Sequence, residues 1–202
     1  MTFHILSVCT GNVCRSPIAE RLIAEAMRSE DVAVESAGIG ALVGSGVPEP
    51  ALRLAEDHGV TVTQHTARQV DMDMLRRADL VLGMAREHRR HLAEMMPAVT
   101  RRAFTLREFA RLTDASEVHL PNAVAEAGAT TATAAMKAAV ALAASLRGTI
   151  APPADVSEFD VVDPYRQSDD VYRRSMSEIV PAADRVAHYL ISAARSASHS
   201  AQ

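Results

Sequence analysis

An apolar run at Phe3 to Val8 is followed after a short loop by Ser16-Pro17, and this stretch constrains the fold more than any other. The run reads as a buried strand. Ser16 and Pro17 read as the N-cap and first position of a helix. The loop between them starts at Cys9, carries Gly11 and Asn12, and ends at Arg15. A strand-to-helix turn of this composition points its backbone N–H groups inward, and the helix behind it adds partial positive charge. Such a loop suits a tetrahedral oxyanion. A cysteine at its mouth faces the same donors, which favour its thiolate, the nucleophilic form. The loop is therefore expected to be a phosphate cradle with its own nucleophile.

The rest of the chain alternates strand and helix signals. A helix is expected from Pro17 to about Ser29, with Leu22, Ile23, Ala26 and Met27 on its apolar face, and a short strand from Asp31 to Ser36. Residues 37–46 form a Gly-rich loop with apolar members, which suits a lining rather than a mere connection. Pro48 opens a second helix and Gly59 closes it. Met72 to Arg77 reads as a short helix, Leu80 to Met84 as a buried strand, and Arg86 to Met96 as a helix stopped by Pro97. Arg102 to Thr105 is a weaker strand, followed by a helical turn to Leu112. Ala123 to Leu146 reads as one helical stretch, and Ala151 to Ala154 as a rigid linker. Ser168 caps a long last helix with an inward stripe of Ile179, Ala183, Val186 and Leu190. Pro181 is expected to kink or break that helix, and residues 196–202 to form a frayed tail. The alternation implies a parallel sheet covered on both faces, with ligands at the carboxyl ends of its strands, where Cys9 lies.

Composition narrows the function classes. The net charge of −4 gives no footprint for nucleic acid. Arg supplies 20 of the 21 basic residues; Arg forks phosphate bidentately, but so uniform a bias reads as genome composition rather than as a phosphate-binding signal. Two cysteines in one loop make no disulfide framework and fit a reducing, cytoplasmic compartment. The first residues lack the pattern of a secretory signal, and the Ala-rich run is too short and too weakly apolar to span a bilayer, so no membrane association is expected. His58, His88, His91 and His119 read as surface residues without metal-ligand spacing.

Cys9-x5-Arg15-Ser16 is the signature of cysteine-dependent phosphatases, and as Cys-Thr-Gly-Asn-Val-Cys-Arg-Ser-Pro near the start of the chain it resembles the low-molecular-weight protein tyrosine phosphatases. The resemblance extends to Ser36-Ala37-Gly38, to His65-Thr66-Ala67-Arg68 and to Asp163-Pro164-Tyr165. It covers most of residues 3–112 and 158–192 and implies a bacterial member with an α/β, flavodoxin-like fold: a four-stranded parallel sheet with helices on both faces. Its mechanism would use Cys9 as nucleophile forming a phosphocysteine, and Arg15 with the N–H groups of Thr10, Gly11, Asn12, Val13, Cys14 and Arg15 as the phosphate cradle. Ser16 would donate to the Cys9 sulfur. Asp163 would serve as general acid and then as base. No metal and no cofactor is implied. Ser36 and His65, with Asn12, match a network that supports the loop. Cys14 matches a second cysteine whose usual proposed role is a reversible disulfide with Cys9, and it reads equally well as a small packing residue.

The rim would set the substrate. Leu42 lies where many members have an aromatic residue, Tyr165 would form the opposite wall, and Ala41-Leu42-Val43-Gly44 looks like the bacterial branch that acts on tyrosine kinases of polysaccharide export. The expected partner is a phosphotyrosine protein, such as a bacterial tyrosine kinase. Two features depart from the family pattern. Residues 113–155 form a helical insertion before the Asp163-Pro164 loop, either a flap or partner surface or a segment packed on the body of a single domain spanning 1–195. Ala85 stands where an acidic residue often follows the Met of the third strand. Two rival functions remain: an arsenate reductase using an external small thiol, and a non-catalytic phosphoprotein-binding module.

Overall fold

Strand β1 (Phe3–Cys9) has two apolar faces: Phe3, Ile5 and Cys9 enter one buried cluster, Leu6 and Val8 another. A strand buried on both sides belongs inside a parallel sheet. In the computed structural model, which describes residues 1–62 and 64–199, β1 pairs in parallel with β2 (Val32–Gly38) on one side and β3 (Leu80–Gly83) on the other. β4 (Ala103–Thr105) continues beyond β3, giving the order β2-β1-β3-β4. This is the flavodoxin-like order. Strand order reverses between β1 and β3, and the crevice at their carboxyl ends is where such sheets bind ligands.

Helices cover both faces. α1 (Arg15–Ala26), α2 (Glu49–Asp57), α5 (Leu106–Ser116), α6 (Leu120–Glu126), α7 (Ala132–Ser145) and α8 (Asp169–His199) contribute to the cluster around Phe3 and Ile5. α3 (Met72–Arg77) and α4 (Arg86–Met95) close the other face through Met74, Leu75 and Leu92.

Several boundaries differ from the sequence expectation for identifiable reasons. α1 begins at Arg15, with Cys14 as its N-cap residue, so Ser16 lies inside the first turn rather than capping it. The Ser16 hydroxyl is engaged by Cys9 and Asn12 instead. Pro17 stays within the first turn, where a missing N–H costs nothing. Gly59 does close α2: at φ +76° it donates to Glu56 O while Val60 N reaches back to Ala55 O. Gly128 makes the same pair of bonds at φ +59°, to Ala125 O and from Ala129 N to Val124 O, and so divides the expected helix 123–146 into α6 and α7. α5 opens on a reciprocal capping box of Thr105 and Glu108 and outlasts the expected turn to Leu112, its last turn still packing inward through Thr113 and Ser116. α8 runs unbroken through Pro181, which is exposed, so solvent can reach the carbonyl left without an N–H partner. α8 also takes in 196–199 of the expected frayed tail, and 200–202 lie outside the described residues.

The segment 113–155 packs on the body. Ala135, Met136, Ala139, Val140 and Ala143 of α7 are buried, and Tyr189 Oη donates to Ala139 O at 3.1 Å. Thr133 donates to Met1 O and Lys137 reaches Asp79 at 3.2 Å, both at the amino ends of strands, opposite Cys9. A cleft of about 640 Å³ lined by Arg76, Arg101, Arg102 and Lys137 opens at this end and contains neither cysteine. After α7 the chain is pinned by Arg147, which bonds Glu108 Oε1 (2.8 Å), Ala103 O (2.8 Å) and Thr100 O (3.1 Å) and lies 4.2 Å over the Phe104 ring. Arg147→Ala removes a charged donor from three acceptors and is expected to lower the unfolding free energy in urea by about 2 kcal/mol.

Candidate active site

The loop after β1 is held from one side by the stretch that follows β2. Ile39 N, Gly40 N and Leu42 N donate to the carbonyls of Cys9, Thr10 and Gly11, each at 3.0 Å. This approach needs Gly38: a Cβ there would lie 2.5 Å from Thr10 O. Asn12 takes a left-handed φ of +54°, which Asn tolerates better than most residues. Its buried amide is the hub of the loop. Nδ2 donates to Ser16 Oγ (3.0 Å) and Ser36 Oγ (2.9 Å), and Oδ1 accepts from Arg68 N (2.9 Å). His65 Nε2 lies 2.6 Å from Asn12 O, and since a carbonyl only accepts, Nε2 carries the proton. Asn12, Ser36 and His65, expected as support for the loop, therefore meet in one network.

Cys9 is buried at the mouth of this loop, 2% exposed. Its Sγ accepts from Ser16 Oγ at 3.0 Å and from Asn12 N at 3.2 Å. Arg15 is buried at the far end of the loop. Its Nη2 donates to Asp163 Oδ2 (2.6 Å) and Thr10 Oγ1 (3.4 Å), and its Nη1 donates to Val161 O (3.3 Å). Arg15 Nε is buried with no hydrogen-bond partner among the described residues. An unmet donor on a buried cation is costly unless an anion completes it.

These groups border one cleft of about 130 Å³. Residues 9–11 and 13–15 form its floor, Gly40 and Leu42 one side, Asp163 and Tyr165 the other. Leu42 is 38% exposed, and the Arg166 guanidinium lies 5.1 Å over the Tyr165 ring. Among the described residues, no three His, Cys, Asp or Glu side chains gather as a metal site.

The chain returning from the insertion is fastened before it delivers Asp163. Val161 N bonds Met84 O (2.8 Å), Val162 N bonds Glu178 Oε2 (2.8 Å), and Arg107 holds Asp160 O (2.9 Å). Asp160 also accepts from Arg86 N at 2.8 Å and from the Arg86 side chain. It thus places a carboxylate at the N-terminus of α4, beside Ala85, whose own side chain offers no cap. Asp163 Oδ1 then accepts from Tyr165 N at 3.2 Å, and buried Pro164 stiffens the turn.

Two groups depart from the sequence expectation or add to it. His88, expected at the surface, is fully buried, with Nε2 3.0 Å from Thr10 Oγ1. Burial, followed by the Arg15 charge, pushes its pKa down to about 3, so the ring is neutral and the 3.7 Å approach to Glu87 is no ion pair. Cys14 packs in the core with Tyr172 Oη 4.0 Å from its sulfur, and burial pushes its thiol up to about 12. Burial therefore favours the protonated thiol at neutral pH.

The family model described as low molecular weight phosphotyrosine protein phosphatase matches residues 4–149, which stops short of Asp163 and Tyr165. The low molecular weight protein-tyrosine-phosphatase Wzb of Escherichia coli K12 is 45% identical over 94 residues, 46% of this chain and 63% of Wzb. The chain thus spans less than two thirds of that relative's length in the match. The crystal structure of the tyrosine phosphatase AmsI from Erwinia amylovora superposes with a TM-score of 0.65 and 25% identity over 93% of each chain. The YwlE arginine phosphatase from Geobacillus stearothermophilus gives 0.66 and 25% over 94% of this chain and 93% of its own.

Proposed function

Because the chain belongs to the low molecular weight phosphotyrosine protein phosphatase family, we propose that it hydrolyses phosphotyrosine on bacterial proteins through a phosphocysteine at Cys9. The observation that carries this reading is the meeting of Cys9, Arg15 and Asp163 around one small cleft. Binding alone would need the cradle but neither a nucleophile nor a carboxylate paired with Arg15.

The steps follow from the contacts. The phosphate oxygens take the loop N–H groups and the Arg15 fork, including the free Nε, and release Asp163 from Arg15. The Cys9 thiolate attacks phosphorus in line, so a P–S bond forms as the P–O bond to the phenol breaks. Protonated Asp163 gives its proton to the departing phenolate. Water then attacks phosphorus, Asp163 takes its proton, and the P–S electron pair returns to sulfur, which Ser16 Oγ stabilises from 3.0 Å.

Leu42 and Tyr165 supply apolar walls for an aryl ring. The cleft lining holds no carboxylate besides Asp163, so a phosphoarginine guanidinium would find no second acidic partner. Leu42→Ala is expected to raise KM for an aryl phosphate about fivefold, the scale of a partly buried leucine, with kcat and inhibition by inorganic phosphate unchanged. The partner is a phosphotyrosine protein, with a bacterial tyrosine kinase as the favoured case. Two free cysteines, one of them the proposed nucleophile, support a reducing, cytoplasmic setting for the reaction. No helix among the described residues is long and apolar enough to cross a membrane.

Parallel assays test the reading: para-nitrophenyl phosphate, a phosphotyrosine peptide, a phosphoarginine peptide, and arsenate with an external small thiol. Turnover of both aryl phosphates above the other two substrates is expected. A folded protein that turns over neither aryl phosphate would exclude it, and thiol-dependent arsenate reduction would then favour the reductase.

A further inference from the structure

His88 stands in the first turn of α4, fully buried, and none of the hydrolytic steps uses it. Its place is fixed by the backbone. A Cβ on Gly83 would come 3.1 Å from His88 Cβ and 3.2 Å from Arg89 N, so the start of α4 lies hard against the end of β3. Nε2 lies 3.0 Å from Thr10 Oγ1, and the same oxygen lies 3.4 Å from Arg15 Nη2. A guanidinium only donates, so the hydroxyl oxygen accepts from Arg15. In one tautomer of the ring the Thr10 hydroxyl donates to Nε2; in the other Nε2–H donates to the hydroxyl. Either arrangement stops the hydroxyl from rotating freely and leaves a lone pair for Arg15. His88 Nδ1 is buried with no partner among the described residues. A half-satisfied buried imidazole is less favourable than an apolar side chain of similar shape. The link to Thr10 is what the histidine brings.

This link has a use in the reaction. In the free cleft Arg15 has three acceptors among the described residues: Asp163 Oδ2, Val161 O and Thr10 Oγ1. Phosphate binding takes Asp163 away, so the fork must then be held by the other two. Thr10 is itself exposed, and its hydroxyl would turn to solvent if nothing fixed it. We propose that His88 is a positioning residue, which by fixing Thr10 Oγ1 keeps the Arg15 guanidinium oriented toward an anion at Cys9. The inference rests on Arg15 and Cys9 sharing one anion site, as in the function proposed above.

Alkylation of Cys9 reads this without turnover. Iodoacetate carries a carboxylate that the cradle can hold, and iodoacetamide does not. The wild-type protein is expected to react faster with iodoacetate. His88→Ala and His88→Asn are expected to lower the ratio of the two rates about tenfold, the scale of one hydrogen bond to a charged group. His88→Gln, whose amide nitrogen reaches the position of Nε2, is expected to restore most of it. Thermal midpoints identify folded variants. If His88→Ala does not fold, Thr10→Val at the exposed residue is expected to lower the ratio likewise. The proposal is overturned if the wild type shows no preference for iodoacetate. It is also overturned if folded His88→Ala or Thr10→Val keeps the wild-type ratio, or if Gln rescues no better than Asn. A protein that hydrolyses no aryl phosphate but shows the expected ratios would lose the phosphatase reading and keep this one. Turnover with unchanged ratios would do the reverse.

Discussion

Cys9→Ser is expected to bind inorganic phosphate with near wild-type affinity and to lose turnover of para-nitrophenyl phosphate by about four orders of magnitude or more, the scale seen when a nucleophile is removed. The two contacts to the Cys9 sulfur explain both halves. Ser16 Oγ and Asn12 N each donate to it, and a serine oxygen can accept from the same donors, so the loop has no reason to rearrange. The same two contacts leave a serine inactive. Both are donors, so no base touches the position to take a hydroxyl proton, and an unactivated hydroxyl is a weak nucleophile near neutral pH. Steady-state assays give the first quantity and calorimetric titration with phosphate the second.

Asp163→Asn is expected to lower kcat for phenyl phosphate by about a hundredfold to a thousandfold, the usual contribution of a positioned acid and base. The loss should be smaller for para-nitrophenyl phosphate, because nitrophenolate leaves with less help from a proton. The same variant should bind inorganic phosphate more tightly. In the free protein the carboxylate sits 2.6 Å from Arg15 Nη2 and competes with any incoming anion, while an amide there competes less. The Asn side chain can still accept from Tyr165 N, so the turn should persist. A lower kcat joined to a lower inhibition constant for phosphate separates this role from general damage to the loop.

The phosphate loop was legible because its chemistry is written in consecutive residues. A strand, Cys9, a small-residue turn, Arg15 and a helix leave little freedom in where the nucleophile and the fork can go. The sheet was legible for a similar reason: β1 and β3 carry apolar residues on both faces, and only a parallel, doubly covered sheet satisfies that. What could not be read depends on contacts between distant segments. Ser16 followed by Pro17 has the local signature of a cap, yet its hydroxyl is claimed by Cys9 and by Asn12, whose left-handed turn the local pattern does not announce. His88 lies in a run of charged residues, Arg86-Glu87-His88-Arg89-Arg90, that reads as a solvated face. Only the packing of α4 against Gly83 and Thr10 buries it, and the glycine ending β3 was the available hint. Asp160 supplies to α4 the carboxylate that Ala85 lacks from a segment far along the chain, an exchange no local pattern contains. Gly128 was visible, but its helix-ending role depends on a backbone conformation that glycine permits without requiring.

The central claim is that a phosphoryl group passes through the Cys9 sulfur. Rapid quenching of the wild-type protein during turnover of para-nitrophenyl phosphate, followed by mass spectrometry of the intact chain and its peptides, tests it most directly. A fraction of the chains is expected to carry one added phosphoryl group, confined to the peptide that contains Cys9 and missing from Cys9→Ser. Turnover that shows a burst of nitrophenolate, yet leaves the phosphoryl group on another residue or on none, would contradict the account.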